Sequence, residues 1–491
     1  MKNVIHQLKT DGRPLDGMSY VIVCDDGSVI VVDGGMNNDI EYLYSYLKKL
    51  FKGEKPVVND WILTHPHADH TFAFIGMAKN HGDDIEVRRV LYRVPEEEFF
   101  LKHQPEVIPE HKATLKAIET FGAEWYEPSA GDVIKYGTLS LEILYTCADL
   151  PKDEPIPQCT NDLSIVFRIN ANGQSIIFLG DVQAAGNRVM IDRYGKSLKS
   201  DVCQLAHHGE LSSTAEFYTY IDPDIVLWPV TSAYVDYLWM FYEANRVLFM
   251  GLNVKDVIVS GDGTRALELP IKPSVAPNTY YIHPTGMLET VPEVEIVHAE
   301  KAPDLSDPDD PTWEKANSLP ILGKVIGDEG AAKASVKLLW DEKAFWVRAE
   351  VEKREPLTFN KNGTLAERSD NVRIHLSEIV TGNLFEGWND KENLRNVCLY
   401  SEKKAVEGGE YFNNVPSRCT SFGHVKENGF VVCAKIDFVN EHQKSDVIGF
   451  HAELNVCDEN SVRTLRRTWR NGVAFQYFRF SPAGCVFAKL I

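Results

Sequence analysis

Short apolar runs alternate with amphipathic stretches along the first half of the chain. Residues 20–24 and 29–32 are apolar and flank Asp26-Gly27, the pattern of a β-hairpin closed by an Asp-Gly turn. Asp33-Gly34-Gly35 ends the second run. Leu43, Tyr46, Leu47 and Leu50 recur at helical spacing and predict a helix over residues 41–51. Ile62-Leu63-Thr64 reads as a strand leading into a polar cluster, with a helix over residues 72–79 after it. Another helix spans 109–122 and is closed by Gly122. Strands follow at 139–145, 164–169 and 175–179, the last two joined by an Asn172-Gly173 turn. Residues 202–206 and 225–229 are further strands, with a capped helix over 213–220 between them. Residues 257–260 and 266–269 make the last pair.

The texture changes from Pro270 to about Pro311, where prolines and acidic residues accumulate. Beyond it the pattern is nearly all β. Apolar alternation marks 336–340, 345–351, 371–376, 430–436, 448–455 and 486–490, with turn signals between them. This predicts an α/β domain over 1–270, a connecting region over 271–303 and a β-sandwich over 304–491.

Composition narrows the classes. The 491 residues are 44% apolar and 25% charged, a soluble globular balance. The formal net charge is −20 and no basic stripe runs along the chain, so no nucleic-acid docking surface is expected. No stretch is long and apolar enough to cross a bilayer, and residues 1–7 lack the apolar core of a signal peptide. Nine cysteines without a C-x-x-C pair predict reduced thiols and a cytoplasmic location. A small-molecule substrate fits these limits, an anionic one included, because bound metal ions invert the local field. Oligomeric state stays open.

The chemistry concentrates between Thr64 and His70, which place three imidazoles and a carboxylate in seven residues. Pro66 disfavours helix at His65, so His65 is expected at an extended strand end. In extended chain, residues i and i+2 face the same way, so His65 and His67 can address one ion. Asp69 and His70 are expected on the following loop, reaching a second. Imidazole nitrogen and carboxylate oxygen suit zinc, manganese or ferrous iron. Two further strand tips carry ligand-type residues. Asp181 ends the run Ile176-Ile177-Phe178-Leu179-Gly180, and a carboxylate there can bridge two cations. His207-His208-Gly209 ends another run.

His65-Pro66-His67-Ala68-Asp69-His70 resembles the H-x-H-x-D-H signature of the metallo-β-lactamase superfamily, with Asp33-Gly34 at its early Asp and Asp181 at its bridging Asp. Within that superfamily, the order Asn161 to Val166, Leu179-Gly180-Asp181, His207-His208-Gly209 and Ser213-Thr214 is similar to the hydrolase domain of DNA-uptake proteins of the ComEC type, and phosphorylcholine esterases also look similar here. The resemblance covers roughly residues 1–269. It implies an α/β fold, an αββα sandwich with a dinuclear metal site at its edge. The metal ligands it implies are His65, His67, Asp69, His70, Asp181 and one of His207 and His208, with Asp33 orienting a ligand from behind. Zinc is the first choice for both ions, with manganese and ferrous iron as alternatives.

One feature departs from the superfamily. Many members place a further His before the strand of the bridging Asp, but residues 145–161 contain none. Cys147, Asp149, Cys159, Asn161 and Asp162 are the substitutes on offer; His81, His103 and His111 come too early. The expected reaction is hydrolysis by a hydroxide held between two cations, at about neutral pH. Asp69, His207 and His208 are the candidate catalytic groups, and Asn161 and Ser213 the candidate substrate contacts. A phosphoester is the expected substrate on the subgroup resemblance. A lactone, thioester, amide or β-lactam is the alternative, and a metal-depleted scaffold that binds without catalysis is the rival class.

In the second half, residues 338–347 and the strand Asn371-Val372-Arg373-Ile374-His375-Leu376 resemble a family 9 carbohydrate-binding module or a related DOMON-like sandwich, with Arg373 where an acid is usual. This implies a jelly-roll-like sandwich whose aromatics stack on sugar rings. Trp313, Trp388 and Trp469 are candidates; Trp340 and Trp346 are as well suited to the core. A structural or dimerising role is the alternative to glycan binding.

Overall fold

The computed structural model describes residues 2–10, 17–150, 160–210, 213–231, 235, 238, 242–252, 254–273, 292–327, 330–353, 357–358, 369–381, 393–401, 406–407, 418–459, 463–468 and 485–491. Cys159, Tyr234, Tyr237, Trp239, Phe241, Trp388 and Trp469 lie outside the described residues. The chain divides into two compact units, Met1–Pro273 and Ser274–Ile491.

The first unit is an αββα sandwich. Its strands are β1 (Val4–Gln7), β2 (Ser19–Val23), β3 (Val29–Asp33), β4 (Val57–Ile62), β5 (Glu86–Leu91), β6 (Glu124–Tyr126), β7 (Val133–Tyr136), β8 (Leu139–Tyr145), β9 (Val166–Ala171), β10 (Gln174–Phe178), β11 (Val202–Gln204), β12 (Ile225–Trp228), β13 (Asp256–Val259) and β14 (Arg265–Glu268). Its helices include α1 (Ile40–Leu50), α2 (Ala68–His81), α3 (Glu97–His103), α4 (Ile108–Phe121), α5 (Ala184–Tyr194) and α6 (Ala215–Ile221). One sheet runs β14-β1-β2-β3-β4-β5-β6 and the other β13-β12-β11-β10-β9-β8-β7. Each sheet is antiparallel on one side and parallel on the other.

Alternating side chains divide the burial. Tyr20, Ile22, Ile30, Val32 and Ile62 meet Ile143, Phe167, Ile169, Ile176 and Phe178 between the sheets. The opposite face of the first sheet, with Val31, Val58 and Trp61, packs on Leu43, Phe74, Met77 and Ile118 from α1, α2 and α4. Tyr194 Oη donates to Leu144 O and Tyr218 Oη accepts from Ala206 N, holding α5 and α6 against the second sheet.

Two local expectations change. The helix after the histidines begins at Ala68, so Asp69 and His70 occupy its first turn and not a loop. His67 stays extended at the N-cap (φ −81°, ψ 152°), and an acidic residue in the next turn favours the positive helix end. The final two strands do not pair with each other. β13 extends one sheet beside β12, and β14 extends the other beside β1, because the short link between them crosses from one layer to the other.

The second unit is an all-β sandwich. One sheet orders Val406–Glu407, Leu394–Leu399, Asn371–Ser377, Val447–Cys457, Val486–Leu490 and Val294–His298, with Arg463–Thr468 and then Gly323–Gly327 beside Val447–Cys457. The other contains Ser318–Pro320, Ala332–Trp340, Ala344–Lys353, Gly429–Asp437 and Cys419–Lys426. Val294–His298 pairs in parallel with Val486–Leu490 and with Ala332–Trp340, so it joins the two sheets. Trp340, Phe345 and Val347 pack with Ile374, Leu376 and Phe450 in the core. Trp313 is not available to stack on a sugar: it is 2% exposed and packs with Ala299, Leu339 and Trp346 in a second, smaller core. Trp340 and Trp346 are buried as well.

Two consequences for stability are measurable. Asp60 of β4, 2% exposed, accepts from Arg89 Nε at 2.5 Å and from the Tyr136 hydroxyl of β7, so one carboxylate ties the two sheets. Asp60→Ala is expected to cost the first unit about 2–3 kcal/mol in urea denaturation of the full chain, and Tyr136→Phe about 1 kcal/mol. In the second unit, Glu378 accepts from the Val439 and Asn440 amides, from Arg395 Nη2 and from His442 Nε2, while His442 Nδ1 faces Asp446. Burial alone would lower the His442 pKa, but Glu378 and Asp446 outweigh it and raise it above 6.5. The raised value makes the His442 contribution complete below about pH 6.5 and lost as pH rises through the folded-state value. Hydrogen-exchange protection of the Val439 and Asn440 amides is expected to fall over that rise, and to lose this dependence in His442→Gln.

Candidate metal centre

The cluster forms at the C-terminal ends of the parallel strands. The ends of β3 (Asp33), β4 (Thr64 to His67), β10 (Asp181) and β11 (His207, His208) converge there, and α2 adds Asp69 and His70. Asp181 lies beyond Gly180, whose φ of +52° and crowding explain the residue type. A Cβ at Gly180 would meet Ser164 Oγ at 2.9 Å and Thr64 Cβ at 3.0 Å. Ser164 Oγ accepts from Asp181 N at 3.0 Å and fixes the strand tip.

Two donor sets share Asp181. One is His65, His67 and Asp181; the other is Asp69, His70, Asp181 and His208. Asp181 Oδ2 lies 3.6 Å from His65 Nε2, 3.1 Å from His70 Nε2 and 3.7 Å from His208 Nε2. Asp69 Oδ2 is 3.2 Å from His208 Nε2 and 3.6 Å from His70 Nε2. His65, His70, Asp181 and His208 are buried. Burial alone would raise the Asp181 and Asp69 carboxyls, but the imidazoles around them hold both well below the usual carboxylate range. His70 is pushed the other way: burial would lower it, yet Asp181, Asp69 and Asp33 together hold it well above 6.5. His65 has fewer carboxylate neighbours, so burial and the adjacent His70 keep it neutral.

The residues behind the cluster assign its tautomers. Asp33 Oδ1 accepts from Thr64 N at 2.7 Å, and Oδ2 accepts from Thr64 Oγ1 at 2.8 Å and from His70 Nδ1 at 2.7 Å. His70 Nδ1 therefore carries a proton toward Asp33, and Nε2, which shares its own proton with Asp181 Oδ2 at 3.1 Å, is the nitrogen a cation would take. His208 Nδ1 donates to Pro229 O at 2.7 Å, so its Nε2, 3.2 Å from Asp69 Oδ2, is the nitrogen left for a cation. Thr64 Oγ1 has spent its hydrogen on Asp33, so at 3.2 Å it accepts from His65 Nδ1. Imidazole Nε2 atoms then converge on a carboxylate whose other oxygen, Oδ1, is buried with no hydrogen-bond partner among the described residues. Ring nitrogens gathered about an unpaired buried oxygen are the donor set of a divalent cation, whose binding would displace their protons, so the residues fit such ions.

His207 and His208 separate. His208 belongs to the second set, whereas His207 Nε2 is 3.9 Å from Asp181 Oδ2 and faces Asn161 Nδ2 at 3.2 Å. His207, His208 and Gly209 have φ of +48°, +51° and +86° in succession. A left-handed non-glycine residue costs roughly 1–2 kcal/mol, so this turn is held by its surroundings. Trp228 Nε1 donates to His208 O and Asn245 Nδ2 to Gly209 O, both at 2.7 Å. At Gly209 a Cβ would lie 3.0 Å from the Trp228 indole.

Other expected residues stand elsewhere. Ser213 is fully buried; its hydroxyl donates to Val182 O and accepts from Asn187 Nδ2, so it secures a turn. Of the substitutes for the further His, Asp162 accepts from Gln183 N and Gly186 N at the start of α5, Asp149 pairs with Arg193, and Cys147 donates to Arg93 O. Among the described substitutes, Asn161 alone reaches the cluster, beside His207. Sequence reasoning missed Gln104 and Thr160, which contact His67; Gln104 comes from the end of α3, and no local pattern connects it to a strand-tip histidine.

Residues 12–227 match the family model described as the metallo-beta-lactamase superfamily, and residues 307–479 match that of the carbohydrate family 9 binding domain-like. The chain thus carries a metallo-β-lactamase superfamily domain followed by a family 9 carbohydrate-binding-like domain. It is similar to ComE operon protein 3 of Bacillus subtilis (strain 168), 27% identical over 155 residues, which are 32% of this chain and 17% of that protein. It is also similar to exoglucanase XynX of Acetivibrio thermocellus, 25% identical over 162 residues, 33% of this chain and 14% of that protein. The chain spans less than a fifth of the length of these relatives. Among solved structures, the metallo-beta-lactamase fold protein YhfI from Bacillus subtilis is 14% identical, with 53% of this chain and 99% of that one covered, at a TM-score of 0.33.

Asp33→Asn tests the tautomer assignment. Asn tolerates the left-handed backbone at position 33 (φ +53°) and can keep its contact with Thr64 N, but its NH2 would face His70 Nδ1 and drive the ring proton to Nε2. Titration of the chelator-stripped full chain with Zn2+ is expected to show one cation weakened by roughly 10–100-fold.

Proposed function

We propose that this chain is a metal-dependent hydrolase acting on a phosphoester, with a glycan-binding second unit. The observation that carries the reading is the pair of donor sets sharing Asp181. His65, His67 and Asp181 would hold one divalent cation, and Asp69, His70, His208 and the same Asp181 the other. Zinc is the first choice, because imidazole and carboxylate ligands at low coordination number suit it; manganese and ferrous iron are the alternatives. When bound, two such cations lower the pKa of water from ~15.7 to about 7 and polarise the group under attack.

The chain's own residues bind, orient and exclude water. Asp33 holds His70 by Nδ1, so that Nε2 faces the cluster. Asp181 keeps its carboxylate ionised among the imidazoles, so it can neutralise positive charge between the two sets. His207 and Asn161 stand at the margin, 3.2 Å apart, where they can meet a substrate oxygen. The phosphoester preference rests on the order Asn161, Asp181, His207-His208-Gly209 that resembles the DNA-uptake subgroup, and on ComE operon protein 3 among the relatives. Glycan binding rests on the second family model and on a relative named an exoglucanase.

The test is metal analysis of the full chain together with a panel of phosphomonoesters, phosphodiesters, lactones and β-lactams. Turnover is expected on a phosphoester, lost with chelation and restored by Zn2+ or Mn2+. His67→Ala is expected to lose at least about 100-fold, more than a change behind the ligands brings. Phosphoester turnover that survives complete metal removal would refute the reading.

A further inference from the structure

A hydrogen-bonded pair, Gln104 and Thr160, lies behind His67 and supplies no ligand to the metal centre described above. Gln104 Oε1 accepts from Thr160 N at 3.0 Å and from Thr160 Oγ1 at 2.8 Å. Thr160 is 1% exposed, and its Oγ1 also makes a close contact with His67 Nε2. On the other side of the ring, His67 Nδ1 faces His65 Nε2 at 3.0 Å. A hydroxyl has one hydrogen, and that of Thr160 goes to Gln104 Oε1. Toward His67 the hydroxyl can then only accept, so the single proton of a neutral imidazole must sit on Nε2.

We infer that Gln104 and Thr160 are positioning residues that hold His67 in its Nε2–H form and so present a bare Nδ1 to the cation site of His65, His67 and Asp181. The inference rests on the metal-centre reading and extends it to the set that has one ligand fewer. With Nδ1 bare on His67 and Nε2 bare on His65, two nitrogen lone pairs oppose each other at 3.0 Å. A cation between them removes that repulsion, so the set is prepared for an ion although it lacks the further His. The competing arrangement is also visible in the geometry. Gln104 Nε2 lies 3.3 Å from His67 Nε2 and would donate to it if the ring proton moved to Nδ1. That proton would then point at His65 Nε2 and close the set to a cation. Thr160 Oγ1 decides between the two forms because it is the nearer partner and can only accept.

The same logic serves the other rings, each by a different element. Asp33 serves His70, Pro229 O serves His208 and Thr64 Oγ1 serves His65. Thr160 and Gln104 complete the pattern for His67, the outermost of the four.

The test uses the full chain, stripped of metal and labelled with 15N on histidine. Proton-detected long-range 15N spectra report the His67 tautomer without any metal present, and calorimetric titration with Zn2+ alone reports the two cation affinities. Wild type is expected to show His67 as Nε2–H. Thr160→Val removes the acceptor at constant shape, so the ring is expected to switch to Nδ1–H, with Zn2+ binding at one of the two sites weakened by roughly 10–100-fold. Thr160→Ser is expected to restore both. Gln104→Leu, at a half-exposed position, is the second variant should Thr160→Val fold poorly; it frees the Thr160 hydroxyl to donate and is expected to switch the ring as well. Gln104→Glu keeps the acceptor and is expected to keep the wild-type tautomer. A His67 ring that remains Nε2–H with unchanged Zn2+ affinities in Thr160→Val and Gln104→Leu would overturn the inference and leave the two-cation reading standing. Wild type that binds fewer than two cations, with no change in His67→Ala, would overturn both.

Discussion

A single buried carboxylate is the constraint around which the first unit is built. Asp181 lies within 4 Å of four imidazoles, has one oxygen without a hydrogen-bond partner among the described residues, and belongs to both donor sets. An ionised carboxylate at that depth is expensive unless positive charge meets it. The surrounding features answer that cost. Gly180 lets the chain turn where Thr64 and Ser164 leave no room for a side chain, Ser164 accepts from the Asp181 amide, and the first turn of α2 brings His70 to within 3.1 Å of the carboxylate.

Behind that carboxylate stands a shell of acceptors. Each ring that faces the cluster has its far nitrogen tied to an oxygen, and those oxygens come from a strand end, a loop carbonyl and two hydroxyls. The far nitrogen of each ring is thereby fixed before any ion arrives, and the near nitrogen is the one turned to the cluster. This is preorganisation in the strict sense: the ordering of the ligands is completed by folding and not by binding. The left-handed run at His207 to Gly209 has the same character. Trp228 and Asn245 hold a backbone that the residues would not adopt alone, and the outcome is that one histidine enters the cluster while its neighbour stays at the margin.

Much of the fold could be read along the chain because it follows local rules. The Asp26-Gly27 hairpin, the helix closed by Gly122 and the Asn172-Gly173 turn occur where turn chemistry and apolar spacing place them. The site was legible to the same extent, since Thr64 to His70, Asp181 and His207-His208 are strand-tip signals. What misled was context. Asp69 and His70 joined α2 because Pro66 ends one extended segment and frees the next turn to become helical. Ser213 and Trp313 have the side chains of contact residues, but packing encloses both. The strands at 257–260 and 266–269 are neighbours in sequence and belong to different layers.

Residue types and their spacing determined by themselves that this chain has an α/β part and an all-β part, and that imidazoles and carboxylates gather at strand ends. Those properties depend on side-chain chemistry and on periods of two and 3.6, which are local. Only the tertiary structure decided which nitrogen of each ring faces the cluster, that His208 and not His207 belongs to the second donor set, and that Gln104 and Thr160 stand behind His67. A tautomer is set by whatever acceptor lies across the ring, and here the acceptor for His67 comes from ninety-odd residues away in the chain. Such a partner leaves no local pattern, because folding alone brings the two together.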